Sequence, residues 1–152
     1  MDLTAVDPVD GQPWDFSFEM KRKREVELLE RDKPLLVLAC PMCGPFSALQ
    51  NLTYAKLSKK EVKTKLRDAM AHVKFALDMC LRQYLERRFF VVEHPTSASS
   101  WATAVLKHVM ELEGVHTARF DFCQLGMETV DAAGEKQAAK KRATVMTNSG
   151  LG

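Results

Sequence analysis

Leu35-Leu36-Val37-Leu38-Ala39-Cys40-Pro41-Met42-Cys43-Gly44-Pro45-Phe46-Ser47 is the stretch that decides the fold. Leu35 to Ala39 is an unbroken apolar run, too short for a helix, and reads as a buried strand. Such a run suits a parallel sheet covered on both faces, where the pleat has no wet side. A second run, Phe89-Phe90-Val91-Val92, ends in Glu93-His94-Pro95. A thiol at one strand end and a carboxylate at another stand where open α/β sheets bind ligands, outside the carboxyl ends of the strands.

The segments around these runs are helical. Phe18 to Asp32 is charged and amphipathic, with Val26, Leu28 and Leu29 as its apolar side and Asp32-Lys33-Pro34 as its stop. Ser58 with Glu61 three positions on forms a capping box, and apolar residues at helical spacing continue to about Arg87. Ser99 or Ser100 opens a further helix over Trp101 to Glu113, which Gly114 ends. Val115 to Phe122 reads as a third strand and Ala143 to Met146 as a last short one. Asp131 to Arg142 reads as a mobile loop, and 127–152 as loop and tail. Helix and strand alternate along the chain, which predicts a Rossmann-like α/β fold, a mostly parallel sheet with flanking helices.

The 152 residues suit one domain, 1–152, or part of one. A net charge of +2 does not by itself announce a nucleic-acid binder. The clusters Lys21-Arg22-Lys23-Arg24, Lys59-Lys60 and Lys140-Lys141-Arg142 read as solvated helix ends or loops, with phosphate contact as the other reading. No apolar run reaches the ~20 residues of a membrane helix, and the acidic start lacks a secretory signal. The cysteines Cys40, Cys43, Cys80 and Cys123 are too scattered for a disulfide framework, so an intracellular, reduced setting is expected.

Cys40-Pro41-Met42-Cys43 is a C-x-x-C motif. As zinc ligands the two thiols are half a site, and Cys80 and Cys123 do not form a second pair, so no metal is expected. A thioredoxin-like pair needs the motif at a helix N-terminus, whereas Pro45 follows here and the clear helix waits until Ser58. The remaining reading is a nucleophilic Cys43. A lone cysteine after an apolar strand is usually buried and inert, and a lone glutamate at a strand end often only caps a helix. Two such ends in one sheet carry more weight than either alone.

Pro41-Met42-Cys43-Gly44-Pro45-Phe46-Ser47 resembles the Pro-Cys loop of DNA (cytosine-5) methyltransferases, and Val92-Glu93-His94-Pro95 is similar to their Glu-Asn-Val or Glu-Asn-Pro motif. Met42 stands where that family has Pro before the Cys, and His94 where it has Asn. The resemblance covers roughly residues 2 to 148. It implies transfer of a methyl group from S-adenosylmethionine to cytosine in DNA, with Cys43 as nucleophile and Glu93 holding the base. It further implies Asp2, Asp15, Phe16 and Pro41 at the cofactor, and Ser47 and Pro95 at the substrate. Phe120 to Gly126 and Thr144 to Asn148 resemble strand-end segments of methyltransferase-like proteins from phages and mobile elements.

The family's glycine-rich turn after a first strand is absent, as are its Gln-x-Arg-x-Arg motif and any target-recognition segment. The expectation is therefore an N-terminally incomplete domain, completed by a missing segment or a partner subunit. Two rivals stand beside it: a non-catalytic α/β module of a mobile-element polyprotein, and a thiol-disulfide redox domain using Cys40 and Cys43.

Overall fold

The computed structural model describes residues 5–47 and 50–150. Its longest element, helix α3 (Lys59–Leu85), begins where the sequence says it should. The Ser58 hydroxyl accepts the Glu61 N–H at 3.3 Å, and the Glu61 carboxylate accepts the Ser58 N–H at 2.8 Å. These reciprocal bonds satisfy N–H groups that the first turn would leave unpaired. Ser58→Ala should cost about 1 kcal/mol, read as a Tm lowered by about 2–4 °C. An unchanged Tm would show that the cap contributes nothing.

Helix α1 (Glu19–Asp32) stops at Lys33, whose φ of 45° is left-handed and whose N–H bonds the Leu29 carbonyl. Lys21, expected in a solvated basic run, is instead buried. Its ammonium lies 3.1 Å from Asp7 and 2.7 Å from Asp10, over the Trp14 ring. Arg22 donates to the Phe16 and Ser17 carbonyls at 2.6 and 2.9 Å. Two members of the run thus staple the N-terminal loop to α1, and for the buried Asp7 the Lys21 ammonium replaces the water that its carboxylate has lost.

The sheet order is β1 (Leu36–Ala39), β2 (Phe89–Pro95), β6 (Arg142–Thr147), β3 (His116–Asp121). β1 and β2 are parallel, and β6 runs against both β2 and β3. The fold is mixed α/β, with a four-stranded mixed sheet that holds one parallel pair. The buried Gln83 of α3 aligns the starts of β1 and β2. Its amide donates to the Pro34 and Phe89 carbonyls at 2.9 and 3.0 Å. Asn148, just past β6, pins that strand to β2 by accepting the Phe90 N–H and donating to the Arg88 carbonyl.

One face of the sheet is covered. Phe90, Val92 and Met146 pack there against Val73, Leu77 and Cys80 of α3 and Leu106 and Val109 of α4 (Ala104–Met110). The other face corrects the expectation of a strand buried on both sides. Leu36 and Leu38 are 51% and 67% exposed, and Phe89, the cross-strand partner of Leu36, is 39% exposed. β1 lies at the sheet edge, and α3 and α4 pack only on the opposite face of the pleat.

Two further expectations change. The helix expected over Trp101 to Glu113 is a 3-10 turn, Ser99–Ala102, followed by the short α4, because Thr103 between them is extended. The segment expected as a mobile loop and tail carries a hairpin of β4 (Glu128–Val130) and β5 (Lys136–Ala138). The Asp131 carboxylate holds its turn by accepting the Ala133 and Glu135 N–H groups, and Gly134 takes the left-handed position. The short strand expected over Ala143 to Met146 is present as β6, in the interior of the sheet.

Candidate functional site

The parallel pairing of β1 with β2 sets the site. Ala39 is level with Val92, so Cys40 follows beside Glu93. Glu93 Oε1 is buried without a hydrogen-bond partner among the described residues. Burial pushes the Cys40 thiol up from its ordinary value, and the neighbouring Glu93 charge pushes it further, partly offset by the Glu93 N–H. This is the opposite of the depressed pKa that a reactive redox thiol requires.

Cys43 is half-buried and opens a 3-10 turn over Gly44–Phe46, its carbonyl accepting the Phe46 N–H at 3.0 Å. Three side chains hold this turn by its carbonyls. Tyr54 Oη donates to Pro45 at 2.7 Å, Ser99 Oγ to Phe46 at 3.3 Å, and His94 Nε2 to Pro41 at 3.2 Å. His94 is 1% exposed, and its ring lies 6.1 Å from those of Phe46 and Trp101. Burial lowers its pKa, against the smaller opposing effect of the Pro41 and Met42 carbonyls, and keeps the imidazole neutral. A carbonyl only accepts, so the proton sits on Nε2, and Nδ1 accepts from Ser100 Oγ at 2.6 Å. Trp101 Nε1 donates to the Pro95 carbonyl at 2.9 Å and fixes the end of β2.

A cleft of about 330 Å³ opens between α1, α3 and the end of β1, walled by Phe16, Pro41, Met42, His72, Phe75 and Met79. Phe16 packs on Phe75 with ring centroids 5.0 Å apart. Asp15 lies beside it, its pKa lowered by the Ser17 N–H, then by the Ser17 hydroxyl and the nearby His72. Glu25 of α1 also lines the cleft, and burial raises its pKa.

Of the residues singled out in the sequence, Phe16 and Pro41 share this cleft, with Asp15 next to it. Cys43 lies past the end of β1, at the start of the 3-10 turn, and Glu93 lies within β2, two residues before its end. Ser47 closes the 3-10 turn, its N–H on the Gly44 carbonyl, and Pro95 ends β2. Asp2 lies outside the described residues. Sequence reasoning missed the tether of His94 and the adjacency of Cys40 to Glu93. The first had a signal, since period two along β2 puts His94 on the same face as Phe90 and Val92.

Among the described residues no cluster of three or more His, Cys, Asp or Glu could hold a metal ion, and no helix is long and apolar enough to cross a membrane. The thiols differ sharply. Cys80 is fully buried and its pKa is pushed up to about 12 by burial. At pH 8 a native-state titration with a disulfide reagent should leave Cys80 unmodified, and unfolding should release it. Immediate reaction of all four thiols would contradict this packing.

No family model, curated protein or solved structure matches the chain.

Proposed function

We propose that the chain is a DNA cytosine-5 methyltransferase-like domain on a Rossmann-like scaffold, in which Cys43 attacks the base and Glu93 holds it. The observation that carries the reading is the partnerless Glu93 Oε1 beside the end of β2. A buried carboxylate oxygen left without a donor is costly unless a ligand supplies one. The amino and N3 edge of a cytosine is such a ligand. The sheet supports the scaffold, since β1, β2 and β3 all point the same way and end on the same side as Cys43 and Glu93.

In this reading the Cys43 thiolate adds to C6 of the ring, and the electron pair released toward C5 makes that carbon nucleophilic. Glu93, acting as the carboxylic acid, gives a proton to N3 as negative charge builds there and takes it back when the thiolate leaves. His94, Ser99 and Tyr54 keep the Cys43 turn from moving as the base enters. C5 then takes up a proton or deuteron from solvent, and loss of the original C5 proton returns the electron pair that restores the double bond and expels the thiolate. The base must leave its stack to reach the sulfur.

The flat walls of the cleft, Phe16 and Pro41, fit the adenine of S-adenosylmethionine, with Asp15 at its rim. When bound, that cofactor supplies an electrophilic methyl group.

The test is exchange of cytosine H5 for deuterium in heavy water, on an oligonucleotide mixed with the chain. Addition of Cys43 alone suffices for exchange, so no cofactor is needed. Exchange above the protein-free rate supports the reading, and its absence from a folded chain rejects it. The open face of the sheet favours a second reading, a non-catalytic α/β module used for assembly. There Cys43→Ser would change nothing measurable.

A further inference from the structure

The turn before α3 and the first turns of α3 carry charge that the fold does not use. Between Lys56 and Arg67 six cations, Lys56, Lys59, Lys60, Lys63, Lys65 and Arg67, face one carboxylate, Glu61, which the Ser58 cap occupies. All six are exposed. Among the described residues none of the five lysines is in an ion pair, and Arg67 pairs only with its exposed neighbour Asp68. The positive end of a long helix adds to the same field.

The charge lies along a groove. Lys59, Lys63 and Arg67 recur every fourth residue, about 6 Å apart along the axis, on one wall of a cleft of about 740 Å³. Phe46, Ser99 and Thr103 form its far side. Ser99 and Phe46 belong to the hold on the Cys43 turn, so the cationic wall leads toward the candidate nucleophile.

We propose that the start of α3, with Lys59, Lys63 and Arg67 along this groove and Lys56, Lys60 and Lys65 adding to the field, docks the phosphate backbone of DNA and directs the strand to the Cys43 turn. Charge complementarity names the occupant. A row of exposed cations at regular rise, of which Lys59 and Lys63 have no ion pair among the described residues, matches a polyanion that gains by releasing condensed counterions. A lipid surface fits less well, because an interfacial helix needs a free apolar face. The apolar side of α3, with Ala69, Val73, Leu77 and Cys80, is buried in the core. The inference deepens the reading of Cys43 and Glu93, since this strand would carry the base, yet docking is measurable without any chemistry.

The experiment is fluorescence anisotropy on the full chain at 50 to 200 mM salt, values taken from the range where phosphate contacts titrate. The probes are a labelled DNA duplex, its single strand and the matching RNA, with anionic phosphatidylserine vesicles in a parallel sedimentation assay. DNA affinity should fall steeply with salt. Lys59→Gln with Lys63→Gln should weaken binding at least tenfold and reduce the log–log slope by about 1.4 to 1.8, since each phosphate contact contributes about 0.7 to 0.9. Lys107→Gln with Lys136→Gln, away from the groove, should leave both unchanged. Circular dichroism confirms that each variant is folded.

Wild-type affinity and slope in the folded Lys59/Lys63 variant would overturn the proposal, as would a tenfold preference for the RNA or for the vesicles. Cys43→Ser should bind DNA like the wild type. A failed exchange assay with intact, α3-dependent binding therefore rejects the chemistry and keeps the docking face. The reverse pattern rejects the docking face alone.

Discussion

Cys43→Ser should bring H5 exchange on cytosine down to the protein-free rate, a loss on the order of 10⁴-fold or more, the scale on which removal of a nucleophile acts. A serine hydroxyl at the same place is almost wholly protonated near neutrality and has no adjacent general base in the Cys43 turn. Glu93→Gln should retain part of the exchange, with a fall of about 10² to 10³, the range for one group that steadies developing charge. Cys40→Ser separates the two thiols. Cys40 lies beside Glu93 but its pKa is raised, so its removal should leave most of the exchange in place. The rates are followed by mass spectrometry of the recovered oligonucleotide. Equal exchange by wild type and Cys43→Ser would assign whatever activity exists to another group.

His94→Leu should be the most damaging single change in the described core around the site. It leaves the Ser100 hydroxyl and the Pro41 carbonyl without their buried partner and removes the ring between Phe46 and Trp101. Buried groups stranded in this way cost about 1–3 kcal/mol each. A loss of about 3 kcal/mol, seen as a Tm lowered by about 6–12 °C, is expected. His94→Asn, the residue type of the family that the motif resembles, should restore part of it. The pH dependence separates the imidazole from its shape. The unfolded chain binds a proton near the ordinary value of 6.5, whereas the folded pKa is depressed by burial. The unfolded state therefore binds more protons just below that pH, and stability falls as pH drops through 6.5. The wild type should show this slope in urea titrations between pH 7 and 5, and His94→Asn should have less of it. An identical slope in both would assign the acid sensitivity elsewhere.

What the sequence shows well is local. The Ser58 capping box, the stop at Lys33-Pro34 and the strand at Phe89 depend on neighbours in the chain, and each stands within a residue or two of its expected place. The exposed face of β1 was not legible, because an apolar run has the same letters whether one side or both are covered. The burial of Lys21 was not legible either, since its partners Asp7 and Asp10 lie in a loop whose path only the fold decides. The places of Cys43 after β1 and of Glu93 late in β2 were legible from the apolar runs that precede them. The tether through His94 depends on a carbonyl from another strand end and a hydroxyl from the next turn.

The place of β6 has a consequence for how the chain comes together. β3 does not pair with β2; Arg142–Thr147 separates them and bonds to both. Until that segment is in place, the strand from His116 to Asp121 lacks its native ladder, and the polar groups of β2 that face β6 wait for partners. Joining strands so far apart in sequence carries a loop-closure cost that local contacts cannot offset. The helices rest on local contacts, whereas the sheet cannot close until β6 has come between β2 and β3.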